Sequence, residues 1–236
     1  MDTVTTAAPR AAFRDATRVQ QSVLAAMEKR TLIWLAERMP AAVTSDHLTA
    51  LALFAMLGAG LSYWLARTAP VGLLLATLCL AVNWFGDSLD GTLARVRKRQ
   101  RPRYGYYVDH VVDAIGALFL FGGLALSGFM SAPVAAALLV AYFLLCIEVY
   151  LATHSLGQFH MSFFGFGPTE LRIVLAIGNV ALLVHPGASI AGHTFKLFDV
   201  GGVIGAAGLA ITFCYAAIRH TRDLYRAEPL PPEPRA

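Results

Sequence analysis

Six mainly apolar runs, at about 47–66, 71–95, 105–126, 131–154, 169–184 and 198–218, alternate with short polar connections. A helix rises about 1.5 Å per residue, so some twenty residues match the roughly 30 Å of a hydrocarbon core. The pattern predicts an all-α integral membrane protein with six transmembrane helices. Ahead of the first run, residues 10–40 interleave Phe13, Val19, Val23, Leu24, Met27, Leu32, Trp34 and Leu35 with Arg14, Arg18, Lys29, Arg30 and Arg38. That alternation predicts an amphipathic helix lying in the membrane interface, ending at Pro40. Residues 1–9 are small and polar and residues 227–236 are Pro-rich, so both are expected to be disordered, leaving 41–226 as one transmembrane domain.

Composition agrees with this pattern, with 57% hydrophobic and only 14% charged residues, more apolar than a soluble domain. The polar, charged N-terminus has no signal-peptide core, so insertion is expected to use the first span. Cys79, Cys146 and Cys214 lie inside apolar runs without a CxxC pair, which points to packing and not to disulfide or metal chemistry. The net charge of +4 comes from residues beside the spans, so anionic lipid and phosphate fit better than nucleic acid. Lys and Arg number six before the first span, six between the second and third, and four after the sixth. Only Arg67 and Lys196 lie on the opposite side. The positive-inside rule then places both termini in the cytoplasm, in a cell inner membrane.

The chemistry concentrates between residues 87 and 113, where the second span ends and the third begins. Asp87 and Asp90 are three apart and Asp109 and Asp113 four apart, so each pair falls on one helix face. Ionisable groups at such depth are costly and mark function. Gly91, Ala94 and Gly105 leave the nearby backbone nearly bare, and Arg95, Arg97, Lys98, Arg99, Arg101 and Arg103 supply charge suited to phosphate. Clustered carboxylates for a divalent cation, small residues and arginines describe a site for a diphosphate ester.

The same residues carry a resemblance. Asp87-x2-Asp90-Gly91-x2-Ala94-Arg95, nine residues, then Gly105-x3-Asp109-x3-Asp113 is similar to the signature of the CDP-alcohol phosphotransferases, integral-membrane enzymes of phospholipid synthesis. The resemblance implies metal-dependent transfer of a substituted phosphate group from a CDP-linked donor, foremost CDP-diacylglycerol, to an alcohol hydroxyl, with release of CMP. It implies Mg2+ or Mn2+, two ions per site, held by Asp87, Asp90, Asp109 and Asp113, with Asp113 as general base. Gly91, Ala94, Arg95, Arg101 and Gly105 would meet the nucleotide donor. Ser45-Asp46-His47-Leu48-Thr49 resembles the box that opens the first span in relatives, with Ser in place of Pro. Asp46 and Thr49 are therefore either donor contacts or helix caps. A homodimer in membrane lipid is implied as well.

The acceptor is less legible. Glu148 is an intramembrane carboxylate that either partners Arg172 or meets the acceptor, and Glu170 opens the fifth span. Cationic Arg172, Arg219 or Arg222 suits a phosphorylated alcohol, whereas Glu148 or Glu170 suits an amino alcohol or serine. Gly167-Pro168-Thr169-Glu170 is similar to a stretch of some aminoalcohol phosphotransferases, which use a CDP-choline-type donor and diacylglycerol. A transporter would place its charges near the midplane of broken, symmetric helices, and a non-catalytic homologue would not need the complete motif. The loop charges offer a test, because a charge-assisted phosphate contact contributes about 1.5–3 kcal/mol while a merely orienting charge costs little after insertion. Arg95→Ala and Arg101→Ala are expected to raise the Km for the CDP donor about ten- to a hundred-fold, with Lys98→Ala and Arg99→Ala within a few-fold. Equal effects at all four positions would reduce the loop to a diffuse electrostatic surface.

Overall fold

The computed structural model describes residues 17–19, 25–160, 167–185 and 187–230. Helix α1 spans Ala25–Arg38, α2 Ser45–Ala66, α3 Val71–Val96 and α4 Pro102–Leu126. α5 spans Ala132–Leu156, α6 Pro168–Val184 and α7 Leu197–Ala227. Strand β1 (Thr17–Val19) pairs in parallel with β2 (Gln158–His160), and β3 (Gly187–Ile190) pairs antiparallel with β4 (His193–Lys196).

Local chemistry sets the helix ends. Thr44, and not Ser45 or Asp46, caps α2: its hydroxyl accepts from His47 N at 3.3 Å while its own N–H donates to His47 Nδ1 at 3.3 Å. Pro102 takes the first position of α4, where its missing N–H costs nothing, so this helix opens earlier than the apolar run at Gly105. α5 closes on Gly157 at φ 68°, the left-handed conformation that glycine adopts freely.

The core is built on close approach of α2, α3 and α4. A Cβ on Gly123 would lie 2.3 Å from the Gly60 carbonyl oxygen, and one on Gly86 would lie 2.6 Å from that of Leu48. Small residues bring the backbones together, which is how helices gain packing energy where lipid removes the hydrophobic drive. Tyr63, Leu73, Ala76, Leu80, Leu120 and Leu124 fill the space around these crossings. A second cluster, Leu32 and Ala36 of α1 with Leu48, Leu89 and Leu93, seats α1 on the ends of α2 and α3. Arg97 fixes that seat by donating to the carbonyls of Val43 at 2.5 Å and of Met39 and Pro40 at 2.8 Å. Leu74, Leu78, Ile147 and Ile211 face outward, as a lipid-facing surface requires.

Several expectations change. The amphipathic helix does not run through the region from Arg10, because Thr17–Val19 is extended and bonded to the segment after α5. The ladder beside it satisfies backbone groups that an interfacial helix would satisfy internally. Among the described residues five helices, α2 to α5 and α7, are long and apolar enough to cross a membrane, while the fifth expected span is the shorter α6. α6 has 17 residues, about 26 Å. It runs antiparallel to α3 from the level of Asp87 to beyond Thr77, which binds the Asn179 amide at 3.0 Å, so the last turns of α3 extend past it. α7 continues nine residues beyond the expected Ile218 to Ala227, and the expected loop after α6 is a hairpin turning at Ala191-Gly192. Residues 1–16, 20–24, 161–166, 186 and 231–236 lie outside the described residues, as do the expectations placed on them.

The glycine crossing yields a stability test. Gly123→Val should cost about 1–3 kcal/mol or more, because neither backbone can yield, and should lower the thermal midpoint in detergent by several degrees. Gly122→Ala, where a Cβ meets nothing within 4 Å, is the control. Equal midpoints for the two variants would show that the crossing is not tight.

Candidate functional site

The short connection between α3 and α4 puts the last turns of one beside the first turns of the other. One carboxylate oxygen from each of Asp87, Asp109 and Asp113 lies within 4.8 Å of the others. Oxygens sharing one hard divalent cation, each about 2.0–2.6 Å from it, lie roughly 3–5 Å apart, so the set fits such an ion. The three residues are half-buried, and a cation held between them would offset their mutual repulsion.

Asp90, expected beside them, is turned toward α2. Thr49 Oγ1 donates to its Oδ2 at 2.6 Å, its other oxygen accepts from Gly91 N–H, and Ser45 Oγ donates to its backbone carbonyl at 2.8 Å. The pair one turn apart on α3 is thus divided: Asp87 faces the α4 carboxylates and Asp90 faces Thr49. Asp46 pairs with Arg101, both about half exposed, where such a pair contributes little. This hydrogen bond raises the Arg101 pKa above its ordinary value, and the guanidinium stacks 4.0 Å over Tyr104.

The small residues leave room. Gly105 is exposed, and a Cβ there would meet nothing within 4 Å. Gly91 has only the Arg95 guanidinium in front of it, 3.4 Å from an added Cβ, and Arg95 Nη2 donates to Thr92 Oγ1 at 2.9 Å. Ala94 is half-buried beside them. Gly91 and Gly105 thus leave the backbone nearly bare one turn from Asp87 on α3 and one turn from Asp109 on α4.

The acceptor candidates separate. Arg172, at the start of α6, donates from Nη2 to Asp87 Oδ2 at 2.5 Å and from Nε to Asn83 Oδ1 at 2.9 Å. It does not pair with Glu148, because α5 packs on α7 and gives Glu148 a different partner: His220 Nδ1 lies 2.5 Å from Glu148 Oε1. The other oxygen of Glu148 is buried without a hydrogen bond among the described residues. Glu170 accepts from Gly167 N at 3.0 Å and so caps its own helix. Of the three, Arg172 touches the carboxylate centre.

Other participants carry no local signal. Glu28 of α1 accepts from Trp84 Nε1 at 2.7 Å, Thr169 Oγ1 at 2.8 Å and Ser88 Oγ at 3.3 Å, tying α1 to α3 and α6. With Thr31, Leu80, Trp84, Thr169 and Arg172 it lines a groove of about 400 Å³. His110 stacks on Tyr106 at 4.1 Å and meets Tyr150 edge-on at 4.7 Å, beside Asp109. Arg97, grouped by sequence with the loop charges, is a structural clamp instead.

A family model described as CDP-alcohol phosphatidyltransferase matches residues 42–214, which include the whole centre and leave α1 outside. No curated protein matches the chain.

Removing one carboxylate tests the centre directly. Asp109→Asn should weaken Mn2+ binding, read as loss of the free-ion resonance signal, by at least about ten-fold. Unchanged binding would mean that the three carboxylates do not share a cation.

Proposed function

We infer that this chain, which belongs to the CDP-alcohol phosphatidyltransferase family and is thus a membrane-embedded transferase of phosphate-containing groups in lipid synthesis, moves a phosphatidyl group from CDP-diacylglycerol to a small alcohol. The observation that carries the reading is the meeting of Asp87, Asp109 and Asp113, with the bare backbone of Gly91 and Gly105 one turn away on the same helices. Asp87, Asp109 and Asp113 would hold Mg2+ or Mn2+, with Asp90 one turn away for a second ion. Bound there, the metal supplies positive charge that offsets the diphosphate and the charge developing at phosphorus.

This chain's own residues do the rest. Gly91, Ala94 and Gly105 admit the donor's nucleotide end, and Arg95 and Arg101 meet its phosphates, with Asp46 and Thr49 on the α2 side. Asp113 accepts the proton of the acceptor hydroxyl. The acceptor oxygen forms a bond to the lipid-side phosphorus, the bond from that phosphorus to the bridging oxygen breaks, and CMP leaves with the electron pair. Arg172, which touches Asp87, is the first candidate to meet the acceptor, and Glu148 on α5 and Glu170 on α6 are the further ones. The basic charge beside the centre supports a cytoplasmic active site, and a homodimer follows from the family resemblance.

Purified protein supplied with CDP-diacylglycerol and a panel of alcohols should release CMP with one of them. Release only with CDP-choline or CDP-ethanolamine and diacylglycerol would make it an aminoalcohol phosphotransferase instead. Asp113→Asn keeps shape and removes basicity, so turnover should fall by about 10²–10⁴ with donor binding largely kept. A near wild-type rate would remove Asp113 from the role of base.

A further inference from the structure

The contact between α6 and the carboxylate centre is built in a way that a simple counter-charge does not need. Asn83 and Asp87 are four residues apart on α3, so their side chains stack on one face. Arg172 reaches both from α6: its Nε donates to Asn83 Oδ1 at 2.9 Å and its Nη2 to Asp87 Oδ2 at 2.5 Å. These two nitrogens form one planar edge of the guanidinium, a fork that a single ammonium cannot reproduce. Asn83 is itself fixed, being buried, with its Nδ2 donating 3.1 Å to the Ala52 carbonyl of α2. The chain Ala52, Asn83, Arg172, Asp87 thus ties three helices to one oxygen of one carboxylate. The other oxygen of Asp87 takes no part in it.

We propose that Arg172, held by Asn83, is the positioning residue of the metal centre, orienting the Asp87 carboxylate toward Asp109 and Asp113 so that the three present a preformed ligand set to a divalent cation. The proposal rests on the reading of these aspartates as a metal site. A free Asp87 beside two other carboxylates would rotate away from them, since like charges at such distances repel strongly in a poorly solvated setting. A hydrogen bond to one oxygen opposes that rotation without consuming the second. Both partners are largely shielded, with side-chain exposures of 16% and 21%, so water competes weakly for the contact.

Orientation and charge make opposite predictions. If Arg172 acted only as a positive charge, Arg172→Lys would leave Mn2+ affinity unchanged and Arg172→Gln would tighten it by removing repulsion of the cation. If it orients Asp87, Arg172→Lys and Arg172→Gln should both weaken Mn2+ binding by about 10- to 100-fold, the usual effect of losing a partner that orients a ligand. Asn83→Ala, which keeps every charge, should weaken it in the same direction.

The experiment is Mn2+ titration of the purified full chain in detergent by resonance spectroscopy, alongside acceptor Km. Asp109→Asn is the control for the metal site itself. Weakened Mn2+ binding in Arg172→Lys and Asn83→Ala, with both eluting as folded species, is the expected result. Binding within about three-fold of wild type in either folded variant, while Asp109→Asn loses it, overturns the positioning role and leaves the metal site standing. A raised acceptor Km with unchanged Mn2+ affinity would assign Arg172 to the acceptor and also overturn it. Absence of Mn2+ binding in the wild type would overturn both the proposal and the metal reading. Should Arg172→Lys fail to fold, Asn83→Ala alone decides between these results.

Discussion

Three carboxylates with oxygens inside 4.8 Å, on helices that belong to a membrane domain, set a constraint that the surrounding structure must answer. Charges of one sign at that spacing repel strongly where water is scarce, and they stay together only if the helices carrying them cannot move apart. The answer comes in two parts. Near the charges, polar side chains hold the two acids of α3 separately: Thr49 takes Asp90, and Arg172 with Asn83 takes Asp87. Further along, backbone contact between helices holds the scaffold.

That scaffold is unusual in having little side chain where it is tightest. Gly60, Gly86 and Gly123 let α2 meet α3 and α4 at the main chain, and Tyr63 reaches the buried amide of Asn179 at 2.8 Å to bring in α6. The amide completes its bonding through Thr77, so the polar link inside the bundle is satisfied at both ends. α5 and α7 add a second layer, joined by Glu148 with His220 and by Asp199 accepting from Ser131 N at 2.6 Å.

Hydropathy alone located every helix of the membrane domain to within a few residues at most ends, because apolar runs bounded by Pro, Gly and charge leave few choices. Where it erred, the missing information was tertiary. The interleaving of apolar and basic residues from Phe13 to Leu35 reads as one helix, and nothing local marks Thr17–Val19 for pairing with residues 158–160. The centre was legible as a motif, yet the division of labour inside it was not: spacing puts Asp87 and Asp90 on one face equally, and only the placement of Thr49 on α2 and Arg172 on α6 tells them apart. Arg97 looked like its neighbours for the same reason, since the carbonyls it binds lie more than fifty residues away in the chain.

The contact between Gly60 and Gly123 also acts as a fulcrum. Asp109 lies fourteen residues from Gly123 on the same helix, an arm of about 21 Å. A rotation of α4 of only about 1.5° about that point would displace the carboxylate by about 0.5 Å, the full tolerance of a working site. Main-chain contact has no rotamers with which to absorb such a rotation. The precision with which α4 presents its carboxylates is therefore stored far from them, where that helix meets α2, in two residues that have no side chains at all.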